Sequence, residues 1–149
     1  MRAVIQRVSS AQVEVDGQVT GQISQGLLVY LSVGKGDTEA DAQFMADKLC
    51  NLRIFADEND KMNLSVRDVG GAILMISQFT LHGDCRKGRR PGFDAAAPPD
   101  DAQRLYEQTI EHIKGHRIEV QTGVFAAHMH VTNVNDGPIT FLLDSTRLF

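Results

Sequence analysis

The sequence predicts a single α+β domain over residues 1–149, in which a mainly antiparallel sheet carries two principal helices. Two observations predict this fold. Segments with alternating or continuous apolar residues indicate strands, and two other segments have apolar residues at helical spacing. These segments follow one another as strands, helix, strands, helix and strands, without a repeat or an interdomain linker, which favours one layered domain.

The first third is expected to form antiparallel strands. Residues 3–8 are rich in apolar side chains, and alternating valines surround Asp16-Gly17, a dipeptide that is typical of hairpin turns. The continuous apolar run 27–33 predicts a strand that is covered on both faces. Residues 34–37 lack the spacing of a phosphate-binding P-loop, so we expect a turn there.

Two helices are predicted in the remaining chain. Residues 38–52 have apolar side chains at helical spacing, and Thr38 and Asp41 resemble a capping box. The second helix is predicted over residues 100–114, with Gly115 as its stop signal. The other expected elements are strands at 53–55, 72–81, 117–121, 125–134 and 139–143, and a loop at 82–99.

Composition excludes several classes of protein. No run approaches the roughly 18 apolar residues that a membrane span needs, and the N-terminal residues turn polar too early for a secretory signal. Cys50 and Cys85 are too few for a disulfide framework or a four-cysteine zinc site. We therefore expect a soluble cytoplasmic domain with no membrane partner, no metal and no cofactor.

The charge distribution is uneven. A net charge of −4 argues against a protein whose whole surface wraps nucleic acid, and DNA is not an expected partner. Residues 86–90, here called the basic loop, nevertheless carry four positive charges in five residues. Taken alone, the basic loop favours the simple interpretation of a solvated surface, with phosphate contacts as the alternative.

One polar segment follows a predicted buried strand. Ser77-Gln78-Phe79-Thr80 offers two hydroxyls, an amide and an aromatic face at a strand end, where reactive groups are held rigidly. A hydroxyl nucleophile needs a base, and on a continuing strand His82 would share the face of Thr80, with Asp84 to orient it. Such a triad is an open alternative, although neighbouring residues of one strand rarely converge on one point.

Two further segments near the C-terminus attract interest. On a strand, His128 and His130 would project to one face like a pair of metal ligands, but no Asp, Glu or Cys lies nearby in sequence, which favours two surface histidines. Residues 135–138 predict a turn between two strands, and periodicity does not decide whether the bond between Gly137 and Pro138 is cis.

The chain resembles the D-aminoacyl-tRNA deacylases. Residues 77–81 (Ser-Gln-Phe-Thr-Leu) and 135–140 (Asn-Asp-Gly-Pro-Ile-Thr) closely resemble the two signature segments of that family. The Ser-Gln-Phe-Thr segment favours this family over two others that share its fold, the editing domain of archaeal threonyl-tRNA synthetase and a related deacylase with a trans Gly-Pro bond. The likeness runs essentially from end to end, and its further segments are residues 5–8, 26–29, 61–64, 87–91 and 122–127.

The resemblance implies an activity. It implies hydrolysis of the ester that joins a D-amino acid, or mischarged glycine, to the terminal adenosine of tRNA, in a homodimer with a curved, barrel-like sheet. It also implies that a cis Gly137-Pro138 dipeptide reaches into the partner's active site, where its carbonyl groups leave no room for an L side chain. Substrate-binding roles are thereby implied for Gly137, Pro138, Arg7 (a brace for the dipeptide across the interface), Phe125 (beside the adenine), Ala126 and Met129.

Catalysis is implied for Ser77, Gln78, Phe79 and Thr80. The family has a threonine-nucleophile proposal and one in which the ribose 2′-hydroxyl of the substrate assists a water molecule. We favour the second, because no convincing base accompanies Thr80 in the sequence. We expect tRNA phosphates to contact Arg86, Lys87, Arg89 and Arg90. The competing hypotheses are a non-catalytic nucleic-acid-binding module and a structural dimer; the sequence departs from the family at His82-Gly83, His128, His130 and Thr132-Asn133.

Overall fold

The computed structural model describes residues 1–148 and confirms one α+β unit with two helices. Its elements are β1 (Arg2–Val15), β2 (Gln18–Ile23), β3 (Gly26–Ser32), α1 (Glu39–Asn51), β4 (Phe55–Ala56), β5 (Met62–Leu64), β6 (Ala72–Ser77), α2 (Pro99–Gly115), β7 (Val120–Thr122) and β8 (His130–Asp144). A 3₁₀ turn, Phe79–His82, follows β6. Within residues 1–148 no helix has both the length and the apolar character to cross a membrane.

The principal sheet is mixed: three of its five strand pairs are antiparallel and two are parallel, so the prediction of a mainly antiparallel sheet missed the parallel part. Its order is β2-β1-β3-β6-β7, and β8 pairs with β1. The pairs β3–β6 and β6–β7 are parallel, whereas every pair that β1 makes is antiparallel. The physical reason is that α1 lies between β3 and β6 and α2 between β6 and β7, since a helical crossover returns the chain in the same direction.

The sheet curves until its two ends nearly meet, which confirms a barrel-like shape. Gly21 of β2 lies so close to β7 that a Cβ there would be 2.5 Å from the carbonyl oxygen of Thr122. A side chain at this position would therefore push the first and last strands apart. Glycine permits the close approach of the two backbones.

Alternate residues of β3 and β6 contribute to two separate cores. Leu27, Val29 and Leu31 pack with Ile73, Met75 and the buried residues of both helices. Leu28, Leu74 and Ile76 pack inside the curved sheet with Val8 and Val13 of β1. These faces confirm two buried strands, and because the strands are parallel neighbours, both end at the same edge of the sheet.

Strand β8 differs from its prediction. Two strands with a turn at 135–138 were expected, but β8 is one strand that continues through these residues with an irregularity. Gln6 pairs with Thr140 and Val8 with Asn135, so Arg7 alone faces the four residues 136–139. The extra residues bulge from the ladder, while the pairing on either side keeps the register with β1.

Candidate active site

A cavity of about 680 Å³ opens at the edge where β3 and β6 end. Its wall combines the rings of Phe79, Phe93 and Phe125 with small residues of the segment 96–99, which leads into the first residue of α2. Among the sequence-predicted site residues, Ser77, Gln78, Phe79, Phe125, Ala126 and Met129 line it. The size and the largely apolar wall suit a small organic group, such as a nucleoside.

The segment 77–80 leaves the sheet at the mouth of this cavity. The N–H of Gln78 donates to the carbonyl oxygen of Leu31 at 2.8 Å, and the chain then enters the 3₁₀ turn. Among residues 1–148, no hydrogen bond is donated by the backbone N–H of Phe79 or Thr80, as expected for the first donors of a helical turn. Two neighbouring free donors of this kind can bind a developing oxyanion.

The side chain of Thr80 contacts the side-chain amide of Gln78. Its Oγ1 accepts a hydrogen bond from Nε2 of Gln78 at 2.5 Å. In the described part of the chain, no histidine or carboxylate hydrogen-bonds to Thr80. An amide NH₂ group does not accept a proton, so the contact orients the hydroxyl without activating it as a nucleophile.

The triad of Thr80, His82 and Asp84 is contradicted. Because the strand ends at Ser77, His82 lies in the 3₁₀ turn and points into the interior, where it is 8% exposed. Its Nδ1 lies 2.6 Å from the Oγ of Ser32. The carboxylate of Asp84 instead pairs with Arg86 at 2.8 Å, an ion pair that holds the pKa of Asp84 well below its usual value.

Ser32 connects strand β3 to the 3₁₀ turn. The hydroxyl of Ser32 also donates to the carbonyl oxygen of Phe79 at 3.4 Å, so one buried side chain touches both ends of the 3₁₀ turn. Burial lowers the pKa of His82, and the positive charge of Arg2 lowers it further, against the carboxylates of Asp37 and Asp144. A neutral imidazole is therefore favoured at this position.

Gly137 and Pro138 lie in the bulge of β8. The peptide bond between them is cis. Asn135 closes the bulge, because its Oδ1 accepts the N–H of Ile139 and its Nδ2 donates to Oγ1 of Thr140, both at 2.9 Å. Both residues of the dipeptide are exposed, and neither lines the cavity of its own chain.

Arg7 supports this bulge from within the same chain. Its Nε donates to the carbonyl oxygen of Asp136 at 3.2 Å and lies 3.3 Å from the carboxylate of that residue. Its Nη1 donates to the carbonyl oxygen of Ile54 at 2.9 Å. The resemblance implies a brace across an interface; in the single chain, the guanidinium holds the residue directly before Gly137.

The segment 125–129 forms the far wall of the cavity as a turn, not as the expected strand. The Ala127 N–H donates to the carbonyl oxygen of Val124 at 3.2 Å, and Ala126 has a φ of 61°. The ring of Phe125 packs against Tyr106, with ring centres 6.0 Å apart. The Sδ of Met129 occupies the space where a Cβ of Gly123 would lie.

The two histidines of this region do not share one strand face. His128 precedes β8 and His130 begins it, and their exposed rings meet edge to face at 5.1 Å. Among residues 1–148 there is no group of three His, Cys, Asp or Glu side chains that could hold a metal ion.

The basic loop is exposed throughout. Arg86 is paired with Asp84, whereas Lys87, Arg89 and Arg90 form no ion pair with any of residues 1–148. Three uncompensated cations in one loop make a local positive patch on a chain whose net charge is −4.

Comparison with known proteins decides the family. The family model described as D-Tyr-tRNA(Tyr) deacylase matches residues 4–144. The chain belongs to this family. Members are hydrolases, so the chain is an enzyme of that class, and the resemblance of its signature segments is confirmed.

Similar proteins match along their whole length. A D-aminoacyl-tRNA deacylase of Thermosipho africanus (strain TCF52B) is 57% identical over 149 residues, which covers 100% of both chains. One of Clostridioides difficile (strain 630) is 58% identical with the same coverage. Among solved structures, a c-Myc DNA Unwinding Element Binding Protein has a TM-score of 0.91 at 37% identity, covering 97% of this chain and 98% of that chain.

A more distant structure shows the fold alone. It is a probable eukaryotic D-amino acid tRNA deacylase, with a TM-score of 0.80 at 17% identity, covering 95% of this chain and 97% of that chain. The family fold therefore persists where most of the sequence differs.

Three residues that line the cavity, Phe93, Lys35 and Ser32, were not predicted as site residues from the sequence. Phe93, whose ring meets that of Phe79 at 5.0 Å, comes from a proline-rich loop with no periodicity. Lys35 lines the cavity although its segment is only a turn. Ser32 alone leaves a signal in the sequence, as the polar residue in an otherwise apolar run.

Proposed function

We propose that this chain hydrolyses the ester bond between a D-amino acid and the terminal adenosine of tRNA, and that it accepts mischarged glycyl-tRNA in the same way. Membership of the family supports the reaction class. The observation that carries the proposal is the N–H group of Phe79, a residue that lines the nucleoside-sized cavity, followed directly by that of Thr80; neither N–H has a partner among residues 1–148. Ester hydrolysis passes through a tetrahedral oxyanion, and such preorganised donors stabilise it.

Water is the nucleophile in this proposal. Thr80 accepts a hydrogen bond from Gln78 and has no basic partner among residues 1–148, which disfavours an acyl-threonine intermediate. The 2′-hydroxyl of the terminal ribose lies next to the scissile ester by its covalent structure, so the substrate itself can position the water. The role of Gln78 is then to hold the Thr80 hydroxyl in one orientation.

This mechanism is tested with Thr80→Ala and with tRNA that ends in 2′-deoxyadenosine. The variant should keep measurable deacylation activity. Removal of the 2′-hydroxyl from the substrate should lower the deacylation rate more than the mutation does. Trapping of a covalent adduct on Thr80, detected by mass spectrometry, would instead establish the threonine nucleophile.

The terminal adenosine occupies the cavity in this proposal. Phe125 lies beside the adenine, and Ala126 and Met129 complete that wall. Phe125 is held by its contact with Tyr106, whose hydroxyl donates to the carbonyl oxygen of Met75 at 2.8 Å. Because the hydrogen bond fixes the ring of Tyr106, the ring of Phe125 that packs against it offers a fixed stacking face.

Stereoselectivity requires a second copy of the chain. Gly137 and Pro138 do not line their own cavity, so they can act as a filter only in the cavity of a partner. The exposed residues Val134, Phe141 and Leu142 of β8, at 56%, 38% and 60% exposure, support an apolar interface on the same strand. A two-fold dimer would then have two composite sites.

The filter acts through backbone atoms. Two carbonyl groups that accept hydrogen bonds from the α-amino group leave no room for an L side chain, whereas many D side chains point away. Glycine has no side chain to exclude, which explains its acceptance. Discrimination of this kind rests on repulsion of the wrong enantiomer, not on a pocket for the right one.

The basic loop is proposed to contact tRNA phosphates through Lys87, Arg89 and Arg90. Their lack of ion-pair partners in the described chain supports this, since a free cation loses no existing pair on binding. Arg86 contributes less, because it is already engaged by Asp84.

Release of labelled D-tyrosine from D-tyrosyl-tRNA tests the function directly. Catalytic release, with many turnovers per protein molecule, is expected. Salt-sensitive binding of the same tRNA without release would contradict the proposal and favour a nucleic-acid-binding module. Absence of both would favour a structural dimer.

A further inference from the structure

Lys35 occupies a distinctive place at the rim of the cavity. It is the one Lys or Arg side chain among the described residues that line the 680 Å³ cavity, and no Asp or Glu lines it. The residue is exposed and forms no ion pair within residues 1–148. Neither the signature segments nor the basic loop includes it.

The backbone holds Lys35 firmly against the cavity wall. Its N–H donates to the carbonyl oxygen of Ala95 at 2.9 Å, and the N–H of Ala97 donates to the carbonyl oxygen of Val33 at 3.0 Å. Gly34 and Ala96 form a β-bridge between these two bonds. The turn at 34–37 is thereby fixed to the segment that forms one side of the cavity.

The nearest acidic residue of the turn is already occupied. One carboxylate oxygen of Asp37 accepts the N–H of Gly34, and the other lies 2.8 Å from the α-amino group of Met1. Asp37 therefore does not compensate the charge of Lys35.

A second, smaller cavity of about 420 Å³ adjoins the first at this point. The two cavities share Lys35, Ala97 and Pro98. The second contains Arg104, whose ion pair with Asp101 is long, at 3.7 Å, and exposed. Lys35 thus lies between the nucleoside-sized cavity and a smaller cavity whose lining includes the charged residues Asp101 and Arg104.

The proposed substrate needs a cation at such a place. An adenosine in the cavity continues into the tRNA through its 5′-phosphodiester, which stays at the rim because a charged phosphate is costly to bury in an apolar wall. We propose that Lys35 binds the phosphate that links the terminal adenosine to the preceding nucleotide. This inference rests on the proposed function, and charge complementarity at the rim carries it.

Two minimal substrates isolate this contact. One is adenosine with D-tyrosine esterified to its ribose 3′-oxygen, and the other is the same ester of adenosine 5′-monophosphate. Lys35→Gln is expected to lower kcat/KM about tenfold on the phosphorylated ester, through KM with little change in kcat, because the phosphate is remote from the reacting bond. The loss on the unphosphorylated ester should stay below twofold, and Lys35→Arg should restore most of the tenfold loss.

Lys61→Gln is the matched control, because Lys61 is equally exposed but lies in the turn before β5, outside both cavities. It should behave as the wild type on both esters. Equal losses for Lys35→Gln on the two esters, or no loss on either, would overturn the inference.

Ligand binding separates this inference from the proposed function. The wild type should bind adenosine 5′-monophosphate more tightly than adenosine, and Lys35→Gln should remove that preference. If the wild type hydrolyses neither ester nor D-tyrosyl-tRNA, the proposed function fails while the binding comparison still decides the role of Lys35. If the wild type hydrolyses both esters but shows no preference for the phosphate that depends on Lys35, only the inference fails.

Discussion

Replacement of Ser32 by alanine is expected to reduce both the stability and the deacylation rate of the protein. The Oγ of Ser32 joins Nδ1 of His82 to the carbonyl oxygen of Phe79, so it holds the 3₁₀ turn that presents the free N–H groups. Alanine removes both contacts and introduces no clash. The turn keeps its backbone hydrogen bonds but loses its connection to β3.

The magnitude follows from burial. Ser32 is 2% exposed and His82 is 8% exposed, so in the variant the imidazole Nδ1 stays buried without its partner. An unsatisfied buried polar group costs roughly 1–3 kcal/mol of stability. For a domain of this size, each kcal/mol lowers Tm by about 2–4 °C, so the expected fall is about 2–12 °C.

The assay combines thermal unfolding with deacylation kinetics on D-tyrosyl-tRNA. We expect kcat to fall more than KM rises, because the proposed oxyanion donors, the N–H groups of Phe79 and Thr80, would act mainly in the transition state. Ser24→Ala is the control, since Ser24 is exposed and lies in the turn before β3. In a double-mutant cycle with His82→Phe, the loss of stability in the double variant should be smaller than the sum of the two single losses by at least about 0.5 kcal/mol. Strictly additive losses, or an unchanged Tm for Ser32→Ala, would refute this reasoning.

Three further predictions follow from the same structure. Burial lowers the pKa of His82 from 6.5, so below about pH 6.5 the unfolded chain binds a proton more readily than the folded chain does. The free energy of unfolding, measured with urea, should therefore fall as the pH drops from 7 towards 5. The fall should be less steep in His82→Gln. The double variant Arg89→Ala, Arg90→Ala should weaken the binding of different tRNAs alike and reduce the salt slope by about one unit per lost phosphate contact; an unchanged slope would make the basic loop a solvated surface. Gly137→Ala should lower the ratio of the hydrolysis rates on D and L substrates, because Gly137 has a φ of 139° and the new Cβ would lie 2.6 Å from Cγ1 of Ile139. In the control Gly115→Ala the new Cβ has no atom within 4 Å, so the ratio should stay unchanged.

Local signals in the sequence predicted local structure well. The hairpin at Asp16-Gly17 forms between β1 and β2, and α1 begins after Thr38, whose N–H donates to the carboxylate of Asp41 at 2.8 Å. The run after Gly26 forms a strand buried on both faces. These features depend on side chains within a few residues of each other, so they can be predicted from one sequence.

Features that depend on distant partners were not predictable in this way. The direction of β6 is set by its pairing with β3, and no pattern within residues 72–77 encodes that direction. The inward position of His82 depends on a serine 50 residues away, and the bulge of β8 depends on its register with β1. The proposed roles of Gly137 and Pro138 came only from the resemblance, because a role that depends on backbone carbonyl groups leaves no compositional signal.

The ratio of kcat/KM on D-tyrosyl-tRNA to that on L-tyrosyl-tRNA is the measurement that decides whether the protein is a stereoselective deacylase. Purified protein should be assayed on both substrates at equal concentrations, with released tyrosine measured against spontaneous hydrolysis. We expect rapid release from the D ester and a rate near the spontaneous one for the L ester, because the proposed filter of Gly137 and Pro138 carbonyl groups would exclude the L side chain. Equal rate enhancement on the two enantiomers would contradict it.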